Sequence, residues 1–179
     1  MTSFENWWIY ITGGSSGIGK ACARLFAGEG AHIVLIARNQ ERLARAKEEV
    51  AAACRSPNQE VLTLPLDVSQ GARIRETLGK WMREHPAPDV LITSAGVAYP
   101  NYFERIPDEW FERTIDTNLK GTWYTVHSLY PAMKQRGSGY IVMASSMAGQ
   151  ICVFGYTTTG HRSASSRVTP LGAGVRNAP

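Results

Sequence analysis

An α/β fold, a parallel sheet with helices on both faces, is predicted by three observations. Short apolar runs alternate along the chain with longer stretches of helical period. Several of the runs are apolar on consecutive residues, as strands buried on both faces require. The first run leads directly into a glycine-rich turn and then a helix, through Thr12-Gly13-Gly14-Ser15-Ser16-Gly17-Ile18-Gly19.

The elements follow in order. Trp7 to Ile11 reads as the first strand, and Lys20 to Ala27 as a helix with Ala21, Leu25 and Phe26 on its inner side, ended by Gly28 and Gly30. His32 to Ala37 is the second strand. Gln40 to Ala53 is a helix on which Leu43, Ala46 and Val50 recur at spacings of three and four. Val61 to Leu66 is the third strand, Arg73 to Glu84 the third helix and Val90 to Thr93 the fourth strand. Pro107 opens a long helical stretch at a first-turn position, where a missing N–H does no harm. That stretch reaches about Arg136, Gly137-Ser138-Gly139 breaks it, and Tyr140 to Ala144 is the fifth strand.

From Thr157 to Pro179 the pattern stops: this segment has no Asp, Glu, Phe, Trp, Tyr, Met or Ile. Too little apolar surface remains there to offset the entropy of ordering it, so residues 157–179 read as a disordered tail. Residues 1–156 then form the structured unit.

Composition narrows the class. A chain of 179 residues with 44% hydrophobic content suits one globular domain. No apolar run approaches the length needed to span a bilayer, and Met1 to Trp8 lacks the layout of a signal peptide. Cys22, Cys54 and Cys152 are scattered and form no CxxC pair, which favours a reduced, cytoplasmic setting without a structural metal. The net charge of +4 is no nucleic-acid footprint: all fifteen acidic residues lie at or before Asp116, so the excess reflects the acid-free C-terminal third.

The turn between the first strand and the first helix is the strongest functional signal. Gly13, Gly17 and Gly19 allow a tight turn and close backbone approach, and Ser15, Ser16 and Ile18 complete a loop whose helix N-terminus favours a pyrophosphate. The fold is therefore a Rossmann-type doubly wound parallel sheet. The second strand ends in Ala37-Arg38, without the carboxylate that would hold a ribose 2′-hydroxyl and repel a 2′-phosphate. Arg38, with Arg42 one helical turn on, offers forked cations for that phosphate, which points to NADPH. Asp67 and Val68 follow the third strand, where an adenine ring would rest; Asp67 or Ser69 equally reads as a helix N-cap. Ala95 and Gly96 let a cofactor pass close over the end of the fourth strand.

Together TGGSSGIG at 12–19, LDV at 66–68, TSAG at 93–96, TNLKG at 117–121 and IVMASSMAG at 141–149 resemble the short-chain dehydrogenase/reductase superfamily over residues 7 to 157. TSAG departs from the usual NNAG, placing Thr93 where an asparagine commonly stabilises the fourth strand. IARNQERLARAKEE at 36–49, SAGVAYPNYFE at 94–104 and SSMAGQICVFGYT at 145–157 are similar to the 3-ketodihydrosphingosine (3-dehydrosphinganine) reductases. The resemblance implies hydride transfer from NADPH to a small-molecule ketone or lipid substrate in sphingolipid synthesis. Eukaryotic relatives carry a membrane segment that this chain lacks, which implies a soluble protein or one peripheral at a membrane surface. A homo-oligomer is compatible with the complete parent. Of the family's catalytic residues, Asn118 transfers from TNLKG as support for a proton relay, and Ser146 from ASSMAG as the serine that orients the carbonyl.

The family's general acid, a tyrosine, should stand at position 159, with a lysine four residues later. The sequence has Thr159 and Ser163 instead, and Tyr156 has Gly160 where its lysine would be. A threonine hydroxyl is far too weak an acid to replace tyrosine near neutral pH, so the chain as written should be inactive. Thr159 to Ser163 can be encoded ACG GGG CAT CGA AGY. One T restored in front gives TAC GGG GCA TCG AAG, or Tyr-Gly-Ala-Ser-Lys, a family-type YxxxK at the expected place. The expectation is a shifted reading frame just before position 159. The superfamily's sheet continues beyond its fifth strand, so the resemblance implies a fold incomplete after the fifth strand, which is left as an unpaired, aggregation-prone edge. A non-catalytic NADPH-binding module is the rival reading, and a ketoreductase for a steroid or acyl carbonyl a third.

Overall fold

The computed structural model describes residues 4–146 and the backbone of Thr169–Pro170. Strands β1 (Trp8–Thr12), β2 (His32–Ala37), β3 (Val61–Pro65), β4 (Val90–Thr93) and β5 (Tyr140–Met143) pair in parallel in the order β3-β2-β1-β4-β5. Helices α1 (Gly17–Gly28), α2 (Gln40–Ala51) and α3 (Gly71–Glu84) connect the first four strands. Between β4 and β5 come α4 (Asp108–Thr114), a π-helical stretch Ile115–Lys120 and α5 (Gly121–Arg136).

Alternation along the strands fills two layers. Ile9, Ile11, Ile33 and Leu35 pack with Ala23 and Ala27 of α1 and with Leu43, Ala46 and Val50 of α2. Tyr10, Val34, Ile36 and Leu91 face the other way, against Ile74 and Leu78 of α3 and Leu129 and Met133 of α5. Each buried aliphatic side chain contributes about 1.5–3 kcal/mol, which is why these strands are apolar on consecutive residues. Tyr10 carries a polar tip into the second layer. Its hydroxyl donates to the Pro86 carbonyl at 2.7 Å and accepts from Trp81 Nε1 at 3.0 Å. Burial pushes the phenol up to about 12.

Four details differ from the sequence reading. Ala21 and Leu25 are exposed, Leu25 to 71%; the inner face of α1 is Gly19, Ala23 and Ala27, with Cys22 and Phe26 half-buried beside them. Small residues at every fourth position let this helix lie close to the sheet, so size overrides hydrophobicity. Pro107 is the residue before α4 rather than its first turn. The helical stretch from there to Arg136 is widened over Ile115–Lys120, which turns the consecutive residues Thr117 and Asn118 both inward. Finally, β5 is not unpaired: a two-residue strand β6 (Thr169–Pro170) lies antiparallel beside Tyr140 and Ile141. Proline lacks an N–H and suits a sheet edge. The other residues of the 157–179 segment, Thr159 and Ser163 among them, lie outside the described residues.

Among the described residues no helix is long and apolar enough to cross a membrane. Likewise, no group of three or more His, Cys, Asp or Glu side chains among them is placed to hold a metal ion.

Candidate functional site

β1 and β4 are neighbours in the sheet, yet the chain leaves them toward opposite edges. The crevice beyond their carboxyl ends is where open α/β sheets bind ligands. The turn after β1 is held down there. Gly13 N–H donates to the Ile36 carbonyl at 2.8 Å, and its φ of +71° is one that L side chains rarely adopt. A Cβ on Gly13 would stand 2.8 Å from Ala95 N, and one on Gly19 2.5 Å from the Gly13 carbonyl oxygen and 2.6 Å from Ser94 Oγ. Ser94 Oγ donates to the Thr12 carbonyl at 2.6 Å, and Ala95 N–H to Thr12 Oγ1 at 3.3 Å. The two loops thus form one backbone floor with no room for side chains.

Over this floor opens a cleft of about 200 Å³. Gly13, Ser15 and Ser16 form one wall. Ser16 is the N-cap of α1 and makes no side-chain cap bond, which leaves first-turn N–H groups of α1 for an anion. Ala37, Arg38, Asn39 and Arg42 form the far end. Asn39 Oδ1 accepts from Arg42 N–H at 2.8 Å, starting α2 and setting Arg42 one turn above Arg38. Both arginines are exposed, and neither forms an ion pair among the described residues. Leu66, Asp67 and Val68 line the cleft after β3, and Asp67 is the one acidic lining residue among the described residues. Asp67 Oδ1 accepts from Ser69 N–H at 3.0 Å and Ser69 Oγ at 2.8 Å, a local turn; the N-cap of α3 is Gln70, so neither Asp67 nor Ser69 caps it.

Ala95, Gly96 and Val97 complete the cleft after β4, and Thr117 closes it from the π-helical stretch. Thr117 is 6% exposed, and its Oγ1 has no hydrogen-bond partner among the described residues. Asn118, 2% exposed, does not line the cleft. Its side-chain amide is fully engaged by Val97: Val97 N–H donates to Oδ1 at 2.8 Å, and Nδ2 donates to the Val97 carbonyl at 2.7 Å.

Of the residues singled out from the sequence, Gly13, Ser15, Ser16, Arg38, Arg42, Asp67, Val68, Ala95 and Gly96 converge on the cleft. Gly17, Ile18, Gly19 and Ser146 do not line it; Ile18 is 71% exposed on the outer side of the first turn of α1, and Ser146 is exposed beyond β5. The sequence reading missed Asn39, Leu66, Val97 and Thr117. Asn39 carried a usable signal, an N-cap residue just ahead of an amphipathic helix. A tight backbone floor, a helix N-terminus without a side-chain cap and a cationic end together fit a phosphate-bearing nucleotide.

The comparisons with known proteins agree with this arrangement. Residues 7–160 match the short chain dehydrogenase family model. The 3-ketodihydrosphingosine reductase of Bos taurus is 39% identical over 150 residues, which are 83% of this chain and 45% of that protein. The 3-dehydrosphinganine reductase of Danio rerio is 37% identical over the same shares. The chain thus spans about half the length of the curated relatives it matches. Among solved structures, L-sorbose reductase from Gluconobacter frateurii, complexed with NADPH and L-sorbose, superposes with a TM-score of 0.82 at 26% identity, covering 90% of this chain and 60% of that one. A family match over most of the chain, a shared fold and a cleft at the sheet's switch point lead to one conclusion: the chain belongs to the short-chain dehydrogenase family.

Proposed function

We propose that the chain binds NADPH and belongs to the ketone-reductase lineage that acts on 3-ketodihydrosphingosine. The end of β2 carries this reading. Ala37 leaves the ribose end without a carboxylate, and Arg38 and Arg42, without an ion pair among the described residues and framed by the Asn39 cap, would supply forked donors for a 2′-phosphate. Gly13, Ser15 and Ser16 with the N-terminus of α1 would hold the pyrophosphate. Asp67 would accept from the adenine amino group through Oδ2, since Oδ1 is occupied by Ser69, and Val68 and Ala95 would pack on the ring. Held by these residues, NADPH would supply the hydride that takes a ketone to an alcohol, and the proton for the carbonyl oxygen would have to come from the tyrosine that Thr159 replaces here. The sphingoid substrate is supported by the segments shared with 3-ketodihydrosphingosine reductases, and by the identity of 39% to the bovine protein.

The chain as written should bind cofactor without turnover. Ser146 is retained to orient a carbonyl, and Asn118 supports the loop it touches. Thr159 and Ser163 stand where the proton donor and its lysine are needed. Titrating the full chain with NADPH and NADH, by quenching of tryptophan fluorescence, tests the cofactor. We expect NADPH to bind about 10–100-fold more tightly, the worth of one or two charge-assisted hydrogen bonds. Equal affinities would overturn the NADPH reading. Reduction of a 3-ketosphingoid by the Thr159→Tyr/Ser163→Lys double variant, with none by the parent chain, would support the reductase lineage; binding with no reduction by either favours a non-catalytic NADPH-binding module.

A further inference from the structure

The outer strands of the sheet are β3 and β6, and each ends in a proline, Pro65 and Pro170. Backbone groups alternate in direction along a strand, which fixes where each proline nitrogen points. Leu66 N–H donates inward to the Ala37 carbonyl at 2.9 Å, so the nitrogen of Pro65, one residue earlier, is on the outer side of β3. At the opposite edge, Tyr140 and Ala144 N–H donate to the Asp89 and Thr93 carbonyls of the β4 side, at 2.8 Å and 3.0 Å. Val142 between them follows suit, and the N–H and C=O of Ile141 and Met143 are turned to the edge of β5 that β4 does not cover. Backbone groups of that kind need partners.

β6 meets half of this edge. It runs antiparallel, with Thr169 opposite Ile141 and Pro170 opposite Tyr140. Because Tyr140 is turned to β4, Ile141–Thr169 is the hydrogen-bonded pair and Tyr140–Pro170 the non-bonded one. Thr169 thus exchanges bonds with Ile141, while the N–H that Pro170 lacks would have pointed away from the sheet. The order Thr-Pro matters: a proline opposite Ile141 would leave the Ile141 carbonyl without its donor. The inner side of β6 serves Ile141, and its outer side offers a carbonyl and no donor, as Pro65 withdraws a donor at the other edge. We propose that Thr169–Pro170 is a plug on the sheet edge, which pairs with Ile141 and keeps a second copy of this chain from adding along β5. The edge it covers, Tyr-Ile-Val-Met, has no charge and no proline of its own to deter another strand. This role is independent of cofactor and substrate.

The test is amide hydrogen exchange of the full chain, read residue by residue by NMR, with sedimentation velocity on the same samples. In the parent chain Ile141 N–H should exchange about tenfold more slowly than Met143 N–H, which shares the edge but lies beyond the two-residue plug. Thr169→Pro removes a donor from the bonded pair. It should bring Ile141 to the rate of Met143 and leave Val142, bonded to β4, within about twofold of the parent. Self-association should rise with it, the average mass growing with concentration more steeply than for the parent. Thr169→Ala keeps the backbone groups and should leave both readings within about twofold. Equal rates for Ile141 and Met143 in the parent overturn the plug, and that comparison needs no variant to fold. An Ile141 rate that Thr169→Pro does not change overturns it too, as does loss of Ile141 protection in Thr169→Ala, where a side chain would be responsible. Exposure of Ile141 without added self-association overturns the guarding role.

Discussion

Asn118 grips Val97 with both ends of its side-chain amide, at 2.8 Å and 2.7 Å, and so ties the π-helical stretch to the loop that ends β4. The pair explains why an asparagine serves here: only an amide offers a donor and an acceptor at the spacing of one residue's N–H and C=O. Asn118→Ala leaves both Val97 groups unpaired beside the cleft. We expect it to lower stability by about 1–3 kcal/mol in urea unfolding and to weaken NADPH binding. Asn118→Asp keeps the acceptor but sets a carboxylate against the Val97 carbonyl, and should cost at least as much. Unchanged stability in both variants would mean that Asn118 is not a structural tie.

Gly19 and Gly79 make a matched pair within helices. Alanine normally improves a helix by about 0.5–1 kcal/mol over glycine. At Gly79 of α3 a Cβ meets nothing within 4 Å, so Gly79→Ala should raise the melting temperature by about 2–4 °C. At Gly19 of α1 the Cβ would collide with the Gly13 carbonyl and Ser94 Oγ. Backbone on one side and a serine hydrogen-bonded to Thr12 on the other leave little room to give. Gly19→Ala should therefore lower the melting temperature and weaken NADPH binding together. A rise at position 19 equal to that at 79 would show that the floor of the cleft yields.

Tyr10 makes stability fall in alkali. Its phenol is held neutral by burial up to about pH 12, whereas in the unfolded chain it ionises near pH 10. Between those values the unfolded state binds fewer protons than the native state, so unfolding free energy declines as pH rises. Two units correspond to about 2.7 kcal/mol lost across that window. Tyr10→Phe removes this slope, but it loses the bonds to Pro86 and Trp81 and should be about 1–2 kcal/mol less stable at neutral pH. Parallel pH profiles for the two proteins between pH 10 and 12 would contradict the assignment.

The legible parts of this chain are those where hydrophobicity alone decides position. Strands His32–Ala37 and Val90–Thr93 stand out because the sheet is covered on both faces, and Leu43, Ala46 and Val50 because α2 has one apolar stripe and water on its other side. The inner face of α1 is hidden, since close approach selects Gly19, Ala23 and Ala27 while the larger Leu25 is left in water. The helical region before β5 is harder still. Up to Thr125 its inward residues Thr114, Thr117, Asn118, Gly121 and Thr125 are polar or small, so no hydrophobic period marks them before Leu129 and Met133. That also explains the site. The glycine loop and the two arginines announce themselves by type and spacing, whereas Thr117 reaches the cleft wall from a stretch without a hydrophobic period, which only three-dimensional placement reveals.

Arg38 and Arg42 differ in how each is held, and that difference sets the last prediction. Arg38 directly follows β2, next to Ala37 at the cleft's far end, while Arg42 is one turn into α2 with only its backbone N–H fixed by Asn39. Arg38→Ala should weaken NADPH by about 10–100-fold and leave NADH within about twofold, because only the 2′-phosphate is lost as a partner. Arg42→Ala should cost less, about 3–10-fold, since its side chain must be ordered as well as paired. Both arginines are exposed, so the preference for NADPH over NADH should shrink as salt rises from 0.05 M to 0.5 M, by screening of the phosphate contacts. Titrations of the parent and both variants at the two salt concentrations give these numbers directly. If Arg38→Ala weakens NADH as much as NADPH, the arginine supports the loop rather than the phosphate, and the residue that selects the cofactor has to be sought elsewhere along the end of β2.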